Sequence, residues 1–172
     1  MIQLTRHFRL GEFTKSRTAM ANNINNSLTD GTQPFYQTII SNIKEGAELL
    51  ESIRTMVDAK PIIITSGYRH PHLNRMVGGS AGSQHQWGAA VDIECPGLST
   101  KEFHQVIVRS SLPFDQCILE FYKPEDPHSG WVHFGYLRYR LDLNTRLTDN
   151  VVNHNHGSLV KLELRRQVFS IK

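Results

Sequence analysis

Apolar residues return at steps of three or four along one stretch of the chain. Phe35, Ile39, Ile43, Ala47, Leu50, Ile53 and Val57 form a single stripe, and that spacing predicts a helix of about six turns. Pro34 suits its first turn, and Lys60-Pro61 ends it, because the residue before a proline avoids the helical region. The period then changes. PIIIT (61–65) is short and β-branched and reads as a buried strand. Residues 66–88, rich in Gly, Ser, His and Pro, read as a long loop, and AAVDIE (89–94) as a second strand. Ser99 and Glu102 make a capping box that opens a short helix with Phe103, Val106 and Ile107 inward. QCILEFY (116–122) and WVHFGYLRY (131–139) read as two more strands, joined by KPEDPHSG. Val160, Leu162 and Leu164 alternate with charged residues, as in an edge strand. The expected fold is α+β: a small antiparallel sheet packed by a long N-terminal helix and one shorter helix. Residues 1–33 are expected to form an N-terminal arm and an Asn-rich loop, 34–136 the core, and 137–172 an extension that is either one more strand or a docking element.

Composition narrows the class. The chain has 172 residues, 39% hydrophobic and 20% charged, which suits one packed domain. No apolar run approaches the roughly 20 residues that span a membrane, so no membrane insertion is expected. MIQLTRHFRLGEF at the start lacks an apolar core segment, so no secretory signal is expected. The formal charge of +3 is spread along the chain, and no nucleic-acid partner is expected from it. Cys95 and Cys117 form no CxxC pair, which excludes a Cys-rich zinc site and leaves two buried thiols as the plain expectation. Nine histidines, in contrast, prompt a search for metal ligands.

Three side chains can make such a site. His85 lies in the Gly- and Ser-rich stretch GGSAGSQHQWGAAVDIE (78–94), Asp92 in the strand that follows, and His133 in a later strand between Trp131 and Phe134. Imidazole nitrogen and carboxylate oxygen suit zinc, and adjacent strands can point Asp92 and His133 into one cleft. Spacing alone leaves the plainer alternative open, with His85 a loop histidine and His133 a satisfied strand histidine. His70 and His72 can line a cleft rim, His154 and His156 can bind stray metal, and His7 and His104 are expected to be solvated.

The residues around these three match an ordered pattern. Ser66-Gly67-Tyr68-Arg69, Asn74, Gly78-Gly79, Ser83-x-His85-x-x-Gly88-x-Ala90-x-Asp92 and Trp131-Val132-His133 resemble the signature of the zinc D-Ala-D-Ala carboxypeptidases. That superfamily also includes the phage L-alanyl-D-glutamate endolysins, the vancomycin-resistance dipeptidases and the hedgehog signalling domain. The resemblance covers roughly 34–136, and LTRHFRLGEFTKS (4–16) is similar to the opening segment of its shorter members. It implies one zinc ion on His85, Asp92 and His133. It implies that Arg69 holds an anionic group of the substrate or an oxyanion, with Ser66 and Ser83 touching substrate or orienting the loop. Tyr68 and Asn74 are read as supports of the loop.

A general base is also needed, and Glu120, Glu125, Asp126 and His128 are on offer. Glu120 is preferred, because FDQCILEF (114–121) resembles the "DQLI-E" segment of short relatives and a strand end positions a carboxylate well. His128 is the alternative, as a base or a group that stabilises charge. Position 130 is glycine, a departure from the endolysin pattern. The resemblance implies a zinc peptidase that hydrolyses peptidoglycan stem peptides, as a D-Ala-D-Ala carboxypeptidase or an L,D-endopeptidase. With no signal segment expected, a phage lytic enzyme reaching the wall by lysis or within a virion is the favoured setting. The alternatives are a virion structural component beside other phage proteins, or a zinc-binding module without chemistry.

Overall fold

The computed structural model describes residues 2–32 and 34–136, together with the backbone of 167–171. The fold is α+β, as expected. Helices α1 (Leu10–Thr14) and α2 (Arg17–Ala21) precede the long α3 (Tyr36–Met56) and strand β1 (Ile63–Ser66). Helix α4 (Pro71–Met76), β2 (Ala90–Glu94), α5 (Thr100–Val108), β3 (Gln116–Glu120), β4 (Trp131–Gly135) and β5 (Gln167–Ile171) follow. The sheet order is β1-β2-β4-β3-β5. The first four strands are antiparallel, and β5 runs parallel to β3 along its outer side. Val160, Leu162, Leu164, His154 and His156 lie outside the described residues. No helix among the described residues is long and apolar enough to cross a membrane.

Helix α3 buries Ile39, Ile43, Ala47, Leu50 and Ile53 from the expected stripe, and Val57 is buried just beyond its end. At roughly 1.5–3 kcal/mol for each large aliphatic side chain taken from water, this stripe is a main source of stability. Phe35 is the exception. It precedes the helix with a left-handed backbone (φ +60°), is 64% exposed, and packs its ring 5.2 Å from Trp87. Gly46 sits inside α3 because the Tyr136 ring lies against it, where any Cβ would collide with the phenol.

Two expectations need correction. Residues 66–88 are not one loop: they contain α4 and a short 3-10 turn at Gln84–Trp87. Proline at the first position of α4 and His70 Nδ1, which accepts from the His72 amide, start that helix, and Leu73 anchors it in the interior. His104 is buried rather than solvated, with Nε2 3.3 Å from the Cys117 carbonyl, because α5 packs on β3. His7 is partly covered, its Nδ1 2.8 Å from Glu51 Oε2. Cys95 and Cys117 are free and buried. Burial pushes the Cys117 thiol up to about 12, so it is an inert packing group.

The N-terminal segment joins the same interior. Phe8, Leu10 and Phe13 belong to the cluster that holds α3 and the sheet. Asn26, from the Asn-rich loop, is buried. Its Nδ2 donates to the carbonyls of Thr14 and Tyr68 at 2.8 and 2.9 Å, and its Oδ1 accepts from the His70 amide at 2.7 Å. One side chain therefore ties the N-terminal segment to the chain on both sides of Arg69.

Candidate metal centre

Strand register explains how the site assembles. Asp92 stands opposite His133, His133 opposite Ile118, and Trp131 opposite Glu120. Directly paired residues share a face, so Asp92, His133, Trp131 and Glu120 all project from one side of the sheet. Ser66, opposite Asp92 on β1, joins them. Val91, Ile93, Cys117, Leu119, Val132 and Phe134 project to the other side and are buried.

His85 reaches this face from the 3-10 turn. Gly88 ends the turn with φ +65°, and a Cβ there would meet Ile43 and the Ile39 carbonyl, so only glycine lets the turn lie against α3. His85, Asp92 and His133 are buried and together form a group that could hold a metal ion. His133 Nδ1 is 2.9 Å from Asp92 Oδ1, and His85 Nε2 is 3.3 Å from both. Ligands about 2.0–2.1 Å from a tetrahedral zinc stand roughly 3.3 Å apart. The triangle therefore has the right size for three ligands of one ion.

Hydrogen bonding gives an independent test of that fit. His85 Nδ1 is 2.7 Å from the Gly67 carbonyl, which can only accept, so Nδ1 carries the proton. In neutral His85, Nε2 then offers a lone pair toward Asp92 Oδ1. Two acceptors at 3.3 Å repel unless a cation or proton lies between them. This backbone anchor of a ligating histidine is the arrangement that fixes tautomer and orientation at zinc sites. Asp92 needs positive charge beside it for the same reason. Burial alone pushes its carboxyl up, yet positive charge on the His85 side and the hydrogen bond with His133 outweigh it and hold the group far below the usual carboxylate range. Asp92 is a carboxylate at working pH, ready to ligate.

Arg69 lies at this centre, and its contacts are to protein. Its Nη2 donates to Asp92 Oδ2 at 2.6 Å and its Nε to Ser66 Oγ at 2.9 Å. It thus holds the outer oxygen of Asp92 and leaves Oδ1 facing the histidines, with its remaining N–H groups available to an anion. Ser83 precedes the 3-10 turn and makes no side-chain cap.

Glu120 is half-buried at the end of β3, and its Oε2 accepts from Trp131 Nε1 at 2.7 Å. His128 sits elsewhere. Its amide donates to Asp126 Oδ1 at 3.2 Å, and the carbonyl of the preceding Pro127 accepts from the Thr100 amide at the start of α5 at 2.9 Å. The structure brings Glu120 to the metal face and links the His128 segment to the start of α5. The sequence reading missed three contributors: the Gly67 carbonyl, the Trp131 indole as the partner of Glu120, and Asn26. A backbone acceptor leaves no mark in residue identity, and nothing in the sequence separates Asn26 from its neighbours Asn22, Asn23 and Asn25.

A family model described as Peptidase M15 matches residues 6–134. The chain belongs to that family. The match begins at Arg6, so the family pattern includes the N-terminal segment as well as the 3-10 turn and the two strands that carry the three candidate ligands. M15 peptidases are zinc-dependent, and the donor set described above suits that ion. No curated protein sequence matches the chain.

Proposed function

We propose that the protein is a zinc peptidase that hydrolyses peptidoglycan stem peptides, with His85, Asp92 and His133 as ligands and Glu120 as general base. The observation that carries this reading is the buried triangle of His85 Nε2, Asp92 Oδ1 and His133 Nδ1 with sides of 2.9–3.3 Å, inside an M15 chain. Zinc bound there supplies Lewis acidity, which polarises a carbonyl and lets water act as a nucleophile near neutral pH. Glu120 receives the proton from the attacking water and returns it to the leaving amine. Trp131 occupies Oε2 of that carboxylate and leaves Oε1 for the transfer. Arg69 keeps Asp92 oriented and offers its spare N–H groups to a carboxylate or oxyanion of the substrate. His128, by its position, is assigned no proton transfer. A cell-wall lytic role in a phage setting follows from the resemblance to short endolysins. Release of one alanine would mark a carboxypeptidase, and release of larger fragments an endopeptidase.

The test is mass spectrometry of purified muropeptides after digestion, with and without a chelator. The expected result is cleavage that disappears on chelation and returns with zinc. Cleavage that survives chelation would overturn the metal assignment. Glu120→Gln should keep its zinc and lose about 10²- to 10⁴-fold in kcat; a zinc-loaded variant of full activity would remove Glu120 from the mechanism.

A further inference from the structure

On the β1 side of the metal face lies a groove of about 680 Å³, within the size range of ligand-binding clefts. Two residues join it to the metal group. Arg69 lines the groove and also donates to Asp92, and Ser66 lines it and stands opposite Asp92 in register. The lining has an uneven chemistry. Its charged side chains are Lys15, Arg17 and Arg69, with no acid among the described residues that form it. The chain as a whole holds 19 basic and 16 acidic residues, so a purely cationic lining is not its average surface. Lys15 and Arg17 are exposed, and neither makes an ion pair among the described residues. Between the charges, Met20, Ile63 and Val77 expose apolar surface, at 78%, 42% and 45%. β1 is also an outer strand of the sheet among the described residues, so an extended peptide can pair with its backbone.

We propose that this groove is a recognition subsite for an acidic segment of the peptide substrate. Lys15 and Arg17 hold a side-chain or terminal carboxylate, and the alkyl part of that residue rests on Met20, Ile63 and Val77. The N-terminal segment thereby becomes a specificity element of the cleft, in addition to its packing role. The proposal rests on the peptidase reading above and extends it to substrate selection.

The experiment compares two peptides identical except that one bears a free side-chain carboxylate and the other the carboxamide. The wild-type protein should show a higher kcat/KM for the carboxylate peptide, with the preference shrinking as salt is added. The double variant Lys15→Gln/Arg17→Gln should lower the carboxylate-to-carboxamide ratio roughly tenfold, the scale expected for losing two partly exposed charge contacts. Damage to folding or zinc binding lowers both rates together and leaves the ratio unmoved. A ratio equal in wild type and variant overturns the proposal, as does a wild type without preference. If neither peptide is cleaved, the peptidase reading fails, and calorimetric titration of the same peptides into zinc-loaded protein decides the subsite alone. Tighter binding of the carboxylate peptide, lost in the double variant, upholds the subsite; equal binding of the two peptides by wild type overturns it.

Discussion

The two faces of the central sheet are made from alternate residues of the same strands and have opposite energetics. On β2 and β4, Val91, Ile93, Val132 and Phe134 face the core, while Asp92 and His133 face the metal centre. All six are buried, so burial does not distinguish them. The apolar side chains gain free energy by leaving water. A buried carboxylate instead loses hydration and needs compensation, which Arg69 and the histidines provide from outside the core. One face makes the fold, and the other is stabilised fully only when its centre is satisfied.

Removing a ligand gives the largest effect on function. His133→Ala should abolish stoichiometric zinc binding, measured by metal analysis after gel filtration, and reduce muropeptide cleavage to background. Its thermal midpoint should fall modestly below that of the metal-free wild type, because Asp92 loses one of its partners, and should no longer rise when zinc is added. An unfolded His133→Ala would show that the two faces are not separable. Phe134→Ala tests the other side. Phe134 is fully buried, with its ring 6.0 Å from Phe114 and 5.6 Å from Tyr136. Its truncation should cost about 3–5 kcal/mol in urea unfolding, while the zinc content of molecules that remain folded is unchanged.

The two faces were also unequally legible from sequence. Core residues announce themselves by period: the α3 stripe and the β-branched strands needed only spacing and apolar identity to be placed. Asp92 and His133 were reachable by their residue types and by a family pattern. What joins them was not, because the register that sets Asp92 opposite His133 depends on strand order. His85 depends on a 3-10 turn that was read as loop. Its Gly67 acceptor is backbone, invisible to residue identity. The N-terminal segment was read as an arm because its polar residues hide the pattern. Phe8, Leu10, Phe13, Ala19 and Leu28 pack inward, but they are scattered over coil and two five-residue helices, too short to show a period. His104 was misread for a related reason: a lone polar residue on an apolar helix face looks solvated until a carbonyl such as that of Cys117 is known to meet it.

A smaller change sharpens the functional face itself. Trp131→Phe retains a ring beside Phe121, where the native ring centroids lie 4.9 Å apart, and deletes the N–H that holds Glu120 Oε2. Loss of one hydrogen bond to a charged acceptor should lower kcat roughly tenfold, with zinc binding intact and KM nearly unchanged in steady-state kinetics. A rise in KM with constant kcat would instead make Trp131 a substrate contact.

The smallest expected effect lies where the N-terminal segment, which serves both faces, is pinned to α3. Glu51 Oε1 accepts from Thr5 Oγ1 and the His7 amide at 2.7 and 2.8 Å, and Oε2 lies 2.8 Å from His7 Nδ1. Burial pushes the Glu51 carboxyl up, but the hydrogen bonds from His7 and Thr5 outweigh it and hold it below its ordinary value of 4.5. A carboxylate with a depressed value in the folded state stabilises above its unfolded value and loses that contribution as pH falls through the folded one. Glu51→Gln should therefore cost about 0.5–1 kcal/mol at neutral pH and nothing once pH lies below the folded value. Chemical denaturation of both proteins across the acid range checks this. The wild-type advantage should fade on acidification, and an advantage that persists in acid would mean the pin works through neutral contacts rather than through the charge of Glu51.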